Sequence, residues 1–135
     1  MSNRLYAKGR QAFLEGSIAW LTDDIKAVLV DSADYTVDLD NDQFLSDIAV
    51  AGRVKTSDNL TTKTSTDGVA GADSVVFALV TGDQAEAIVL YKDTGDAATS
   101  PLLCYLDSAV GLPVTPGGGN IRVDWNTGPD KIFRL

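Results

Sequence analysis

Residue types that commonly carry out catalysis are scarce in this sequence. It contains no histidine and a single cysteine, Cys104. Without an imidazole, a Ser-His-Asp triad, a Cys-His pair and histidine-based acid–base catalysis are all excluded. One thiol also excludes zinc and iron–sulfur sites that take several cysteines from the same chain. We therefore predict a protein that is not an enzyme, with no catalytic residue, no metal site and no cofactor.

Carboxylates are the remaining candidates, since Asp and Glu number 19. The densest group comprises Asp23, Asp24, Asp31, Asp34, Asp38, Asp40, Asp42 and Asp47. Glycoside hydrolysis needs two carboxyl groups about 5–10 Å apart in a cleft. Nothing in this spacing selects such a pair, so we interpret the group as a solvated acidic edge with turn and cap residues.

Calcium binding is a more specific alternative for some of these aspartates. Residues 38–42 read Asp-Leu-Asp-Asn-Asp, which resembles the opening of an EF-hand loop. The match then fails, because Gln43 stands where that loop needs glycine and Ala49 where it needs a bidentate glutamate. Calcium binding at an irregular site stays an alternative. We favour a structural role, in which Asp40 caps a helix and Gln43, three residues later, completes a capping box.

Two further motifs have structural interpretations. Residues 116–120 read Pro-Gly-Gly-Gly-Asn but lack the Lys-Ser/Thr ending of a phosphate loop, so we expect a flexible hairpin connection. Trp20, Tyr35, Tyr91 and Trp125 are able to stack on sugars, yet such aromatics lie mostly in cores. A glycan-binding face would need one of these rings exposed in a groove.

Composition limits the class of protein. The chain has 135 residues, 44% of them apolar, and a net charge of −8. This fits one domain and argues against binding to nucleic acid or to an anionic membrane. No apolar run reaches the roughly 18 residues of a transmembrane helix, and no signal peptide is recognisable.

Cys104 lies in an apolar run, so we expect its small side chain to be buried. A single cysteine cannot form a disulfide within the chain, which suits a protein of a reducing compartment.

Most of the predicted secondary structure is β. We expect a helix over residues 3–15 with an apolar stripe of Leu5, Tyr6, Phe13 and Leu14, ended by Gly16. The predicted strands include residues 17–21, 25–30, 53–56, 60–65, 74–80, 86–92, 102–106 and 120–125. Residues 74–80 and 86–92 are near-continuous apolar runs, which indicates central strands covered on both faces. Residues 121, 123 and 125 should share one face.

Strands at roughly ten-residue spacing, separated by turn signals, indicate an antiparallel β-sandwich or barrel. The predicted fold is mainly β, with a short N-terminal helical arm over residues 1–16 and a single β-sandwich domain over residues 17–135. The arm is basic through Arg4, Lys8 and Arg10, whereas the rest of the chain is acidic. It could fold back on its own domain or reach an acidic neighbour, and both alternatives stay open.

Several stretches together resemble a family of small virion structural proteins of tailed bacteriophages. The N-terminal stretch is RLYAKGRQAFL (residues 4–14), running into IAW (18–20). The second is IKAVLVD (25–31), followed by ADY (33–35) and FLSDI (44–48). The third is GLPVTPGGG (111–119), followed by VDW (123–125) and KIFRL (131–135). The resemblance covers nearly the whole chain, and its motifs are structural.

The resemblance implies a virion component that is assembled in the host cytoplasm. Its first expected role is capsid decoration, in which the chain docks on the major capsid protein or other virion proteins and stabilises the head as a homo-oligomer, with trimers at local threefold points as one arrangement. The expected contact residues are Arg4, Tyr6, Lys8, Arg10, Phe13, Phe133, Arg134 and Leu135. A tail, adaptor or fibre-associated protein and a glycan-binding β-module are the alternatives.

Overall fold

A computed structural model describes residues 4–107, 112–125 and 131–135. Within these ranges the fold is mainly β, as predicted, with nine strands and one α-helix. The elements are β1 (Arg4–Leu5), α1 (Ala7–Leu14), β2 (Ile25–Val30), β3 (Arg53–Thr56), β4 (Val69–Ala70), β5 (Val75–Phe77), β6 (Ala87–Lys92), β7 (Leu102–Leu106), β8 (Ile121–Val123) and β9 (Phe133–Arg134).

Five strands form one antiparallel sheet in the order β1-β7-β6-β2-β3. Strands β2 and β6 pair along their full length, from Ile25 opposite Lys92 to Val30 opposite Ala87. All of β7 and nearly all of β2 and β6 are buried. The apolar run over 86–92 therefore forms a central strand covered on both faces, as the sequence predicted.

The two faces of this sheet are covered by different parts of the chain. Ile25, Ala27 and Leu29 of β2 pack on one face with residues of the two-stranded sheets β4-β9 and β5-β8. Val28 and Val30 point to the other face, where Tyr6, Tyr35, Leu45 and Ile48 cover them. Because successive side chains of a strand alternate between faces, β2 holds the two halves of the core together.

The helix predicted over residues 3–15 starts later than expected. Residue 3 lies outside the described ranges, Arg4 and Leu5 form β1, and α1 begins at Ala7. Tyr6 keeps an extended backbone and its side chain is fully buried. Leu14, predicted to lie in the apolar stripe, is 89% exposed. Pairing of the first residues with β7 therefore overrides their helical pattern.

The end of α1 agrees with the sequence. Gly16 has a φ of +76°, and its N–H donates to the Phe13 carbonyl. The Ser17 N–H donates to the Ala12 carbonyl, which completes a Schellman motif. A glycine suits this left-handed position because it has no Cβ.

Three predicted strands differ from the structure. Residues 17–21 form no strand, because Thr22 and Asp23 donate their N–H groups to the Ala19 carbonyl in a turn. Residues 60–65 contribute only a single bridge, from Thr64 to Gly71. The run over 74–80 provides only β5, which pairs with β8 outside the large sheet and ends before Leu79, whose φ is +48°.

Gly9→Ala should destabilise the protein, since α1 crosses β7 closely at this residue. A Cβ on Gly9 would lie 2.7 Å from the Leu102 carbonyl oxygen and 2.8 Å from that of Leu103. The higher helix propensity of alanine would stabilise α1 by about 1 kcal/mol. Overpacking usually costs about 1–3 kcal/mol, and here the added Cβ would clash with backbone atoms, which cannot easily move. We expect a net loss in the free energy of unfolding, measured by urea denaturation. Gly117→Ala, where a Cβ has open space, should change it by less than about 0.5 kcal/mol.

Candidate functional site

The N-terminal segment, Arg4–Leu14, lies on its own domain. Strand β1 pairs with β7, and the Tyr6 N–H donates to the Leu103 carbonyl at 3.0 Å. The Ala7 N–H donates to the Leu39 carbonyl at 2.7 Å, which connects the segment to the acidic stretch. The segment therefore folds back on the domain, as the first of the two alternatives expected, and shares its core.

A buried hydrogen-bond chain fixes the start of this segment. The Tyr35 hydroxyl donates to Asp42 Oδ2 at 2.5 Å, so its oxygen accepts from the Tyr6 hydroxyl at 2.8 Å. Burial is the main cause that raises the pKa of both tyrosines far above the ordinary value. Both hydroxyls therefore stay protonated and keep their places in the chain. Tyr6, expected as a partner contact, instead supports the segment from inside the core.

The three cations of the N-terminal segment are exposed and form no ion pair with the described residues. Arg4, Lys8 and Arg10 are exposed, and no carboxylate of the described residues lies within 4.0 Å of their charged groups. Elsewhere, Lys26 pairs with Asp93 at 3.0 Å and Lys92 with Asp23 at 3.2 Å. In a chain of net charge −8, the segment thus presents three exposed positive charges.

The structure divides these cations between two depressions. Arg4 and Arg10 line an open groove of about 780 Å³, whose opposite wall is formed by residues 36–40. We refer to it as the β1 groove. Lys8 lines a smaller cleft of about 290 Å³, together with residues that include Gln43 and Lys92. The predicted basic contact residues thus share one segment but not one cleft.

The apolar contact candidates meet at a separate place. The rings of Phe13 and Phe133 lie 5.8 Å apart, and Trp20 packs edge-on against Phe133 at 5.3 Å. Leu135 lines the same small cleft and is 61% exposed, whereas Phe133 is buried. We call Phe13, Trp20, Phe133 and Leu135 the terminal apolar cluster. The sequence did not place Trp20 here, because only the tertiary fold brings residue 20 to residue 133.

The C-terminal strand adds one exposed cation near this cluster. Arg134 lies on β9, opposite Val69 of β4, and is exposed, in contrast to Phe133 beside it. Of the eight predicted contact residues, Tyr6 and Phe133 are therefore buried supports. The candidate partner-binding surface comprises Arg4, Lys8, Arg10, Phe13, Arg134 and Leu135, and Leu14 joins it because its side chain is almost fully exposed.

The acidic stretch 38–42 is organised by its own backbone. Asp38 accepts hydrogen bonds from the N–H groups of Asp40 and Asn41 and from Asn41 Nδ2. These bonds, that of the Asn41 side chain first, lower the pKa of Asp38. Asp42 accepts from the Asp38 N–H and from Tyr35. The cap predicted at Asp40 is wrong: the next helical turn is Leu45–Asp47, so Asp40 lies too far upstream to cap it.

A group of three carboxylates lies at another position. Among the described residues, oxygens of Asp31, Asp34 and Asp83 lie within 4.8 Å of one another. The Asp31 carboxylate already accepts the Ala33 N–H in a local turn. Residues 38–42 do not form such a group within the described ranges. The geometry there is that of a hydrogen-bonded turn.

The aromatic residues considered for sugar stacking lie in the core. Trp20, Tyr35, Tyr91 and Trp125 are each no more than 8% exposed. The Trp20 indole N–H donates to the Thr64 carbonyl and that of Trp125 to the Asp73 carbonyl. Trp20 and Trp125 line clefts of the surface, but each presents only a small part of its ring there.

Within the described ranges, no helix combines the length and the apolar character that a bilayer crossing demands. The one α-helix found there, α1, has 8 residues.

Tyr35→Phe should destabilise the protein more than Tyr6→Phe. Removing the Tyr35 hydroxyl leaves the buried Tyr6 hydroxyl without its acceptor and takes a donor from Asp42, which costs about 1–3 kcal/mol. Removing the Tyr6 hydroxyl leaves the Tyr35–Asp42 bond in place and costs about 1 kcal/mol. Urea denaturation of the single variants and the double variant measures both costs. Equal effects of the two single changes would contradict this order.

Cys104 should be inert towards thiol reagents in the folded protein. Its side chain is fully buried, and burial raises the pKa of the thiol, so the reactive thiolate is suppressed. We expect reaction with a disulfide reagent at pH 8 to be at least about a thousandfold slower than in denaturant, because it requires opening of the core. Ala98→Cys, at an exposed position, is the control and should react at once. Rapid labelling of native Cys104 would contradict the burial.

Comparison with known proteins gives no relative: neither a protein-family model nor a curated protein matches this chain. A function must therefore be inferred from its own residues and their geometry.

Proposed function

We propose that the chain is a non-enzymatic structural protein of a tailed-bacteriophage particle, and that it decorates the capsid by docking on the major capsid protein. The observation that carries this proposal is the N-terminal segment, which is held on the domain and presents three exposed cations, Arg4, Lys8 and Arg10, with no ion pair to the described residues. The resemblance of the sequence to small virion proteins supplies the kind of partner.

The backbone of the segment is well suited to docking. Its hydrogen bonds to Leu103 and Leu39 and the close approach at Gly9 fix its position before any partner arrives. A preorganised surface loses little conformational entropy on binding. The cations therefore gain attraction to an acidic surface without the cost of ordering a flexible arm.

Neighbouring apolar side chains extend this surface. Leu14 is 89% exposed, and Leu135, which is 61% exposed, lines one cleft with the rings of Phe13 and Phe133. Such residues supply apolar contact area, while the charges provide orientation and faster association. Many copies bound to an assembled shell would stabilise it by mass action, because binding favours the assembled state.

Removal of the three cations tests the docking surface. The variant Arg4→Ala/Lys8→Ala/Arg10→Ala should bind about tenfold more weakly to capsids that lack this protein, since three exposed charge pairs contribute about 0.5 kcal/mol each. Co-sedimentation at low and high salt measures the affinity. The control variant Lys55→Ala/Arg122→Ala/Lys131→Ala removes the same charge from other exposed positions and should bind like the unmodified chain.

Three outcomes separate the parts of the proposal. Unchanged binding of the first variant would exclude the N-terminal segment as the docking surface. Electron-microscopy density confined to the tail or portal would replace the capsid role by the tail or adaptor role. Absence of the chain from the particle would overturn the virion function.

A further inference from the structure

The pairing of β2 with β6 brings together carboxylates from two separate loops. Asp31 follows β2 directly, and the Asp34 N–H donates to the Asp31 carbonyl at 3.1 Å, so both aspartates belong to one turn. Asp83 lies in the loop that precedes β6. Because the two strands are antiparallel and pair along their full length, the end of β2 lies beside the start of β6. The turn and the loop are therefore neighbours, although the sequence separates them widely.

The Asp31 carboxylate is buried without a cation beside it. Asp31 is 6% exposed, and it is the only charged residue in the described ranges that is buried. Its Oδ1 accepts the Ala33 N–H of its own turn, and its Oδ2 has no hydrogen-bond partner among the described residues. Every lysine and arginine of the chain is described, and none lies within 4.0 Å of this carboxylate. Buried charges are normally paired or bound to a metal, so the burial of Asp31 calls for a cation from outside the chain.

Asp34 and Asp83 supply two further carboxylates at the same place. Oxygens of the three side chains lie within 4.8 Å of one another. Within the described ranges, the side chains of Asp34 and Asp83 have neither a hydrogen bond nor an ion pair. Like charges at this separation repel one another. A bound cation would turn this repulsion into attraction.

The spacing of the three carboxylates fits calcium. Two oxygens bound to one ion are separated by at most twice the metal–oxygen distance, which is about 5 Å for calcium and about 4 Å for magnesium. Oxygens within 4.8 Å of one another therefore suit calcium without movement of the backbone. Calcium takes roughly six to eight oxygen ligands, and water commonly completes the set. Asp34 and Asp83 are exposed, so water has access to the ion.

We infer that Asp31, Asp34 and Asp83 form a calcium site, which connects the turn after β2 to the loop before β6. The ion neutralises the buried Asp31 carboxylate and holds the two loops together. With three protein residues and several waters as ligands, we expect a Kd on the order of 10⁻⁴–10⁻³ M. The acidic group in the sequence did not reveal this site, because Asp83 joins it only through the pairing of the strands. The inference does not depend on the proposed docking function.

Thermal unfolding measures whether calcium binds to the folded chain. Calcium at about 10 mM, roughly tenfold above the expected Kd, should raise the Tm by about 5 °C relative to EDTA at matched ionic strength. Magnesium at the same concentration should raise it by less than half as much. An unchanged Tm in calcium would overturn the site, and equal shifts with the two ions would overturn its assignment to calcium.

Two variants separate this site from general attraction of cations to an acidic protein. Asp34→Asn/Asp83→Asn removes two exposed ligands and should abolish the calcium-dependent shift in Tm. Asp58→Asn/Asp67→Asn removes the same charge at exposed positions elsewhere and should retain the full shift. In EDTA the first variant should melt at or above the Tm of the unmodified chain, because it has lost repulsion and remains folded. A calcium-dependent shift that persists in the first variant would overturn the site.

An NMR titration of the ¹⁵N-labelled chain with calcium locates the ion. The amide signals of residues 31–34 and 82–84 should shift together and saturate, with one Kd. The signals of residues 38–42 should stay in place, since those carboxylates form no comparable group within the described ranges. Shifts centred on residues 38–42, or shifts spread over the acidic surface without saturation, would overturn the inference.

Discussion

The contact between α1 and β7 at Gly9 is the constraint on which the proposed surface depends. With no Cβ at this residue, the helix lies directly on the Leu102 and Leu103 carbonyls, and the preceding Tyr6 side chain enters the core. A helix held at this distance has one possible orientation of its faces. Lys8 and Arg10, on either side of Gly9, are consequently directed to solvent. The same packing that stabilises the N-terminal segment therefore sets the positions of its charges.

Under the proposed function, this arrangement allows an acidic protein to dock on an acidic partner. At a net charge of −8, copies of the chain repel one another in solution, which favours solubility at high concentration. Three exposed cations that form no ion pair with the described residues offer a local attraction that the overall charge does not predict. Exposed charges contribute little individually, so the neighbouring apolar residues Leu14 and Leu135 must supply much of the affinity. The apolar contacts lie where the N- and C-terminal segments pack together through Phe13 and Phe133, whereas the cations line other clefts along the N-terminal segment.

The sequence predicts those elements whose local pattern agrees with their tertiary surroundings. Ile25–Val30 and Leu102–Leu106 were located to the residue, because apolar and β-branched runs of this length have few alternatives to a buried strand. The local sequence pattern gave wrong predictions where contacts between distant residues determine the backbone conformation. Tyr6 leaves its helical pattern to bond with Tyr35, 29 residues away. Leu79 adopts a positive φ that no propensity for leucine indicates, and the apolar run before it therefore ends early. Likewise, the basic segment was evident in the sequence, but its division between two clefts depends on the fold.

Both edge strands of the five-stranded sheet, β3 and β1, have features that oppose pairing with strands of other molecules. At one edge, β3 carries Lys55 and Arg53, and charged side chains on an edge strand oppose pairing with another sheet. At the other edge, β1 has two residues in the described part, and Arg10 covers the Leu5 carbonyl. A neutral strand approaching β1 would displace Arg10 and leave its charge without compensation. The guanidinium of Arg10 therefore opposes the addition of a neutral strand at this edge. Charged side chains thus protect both edges of the described sheet from pairing with other chains.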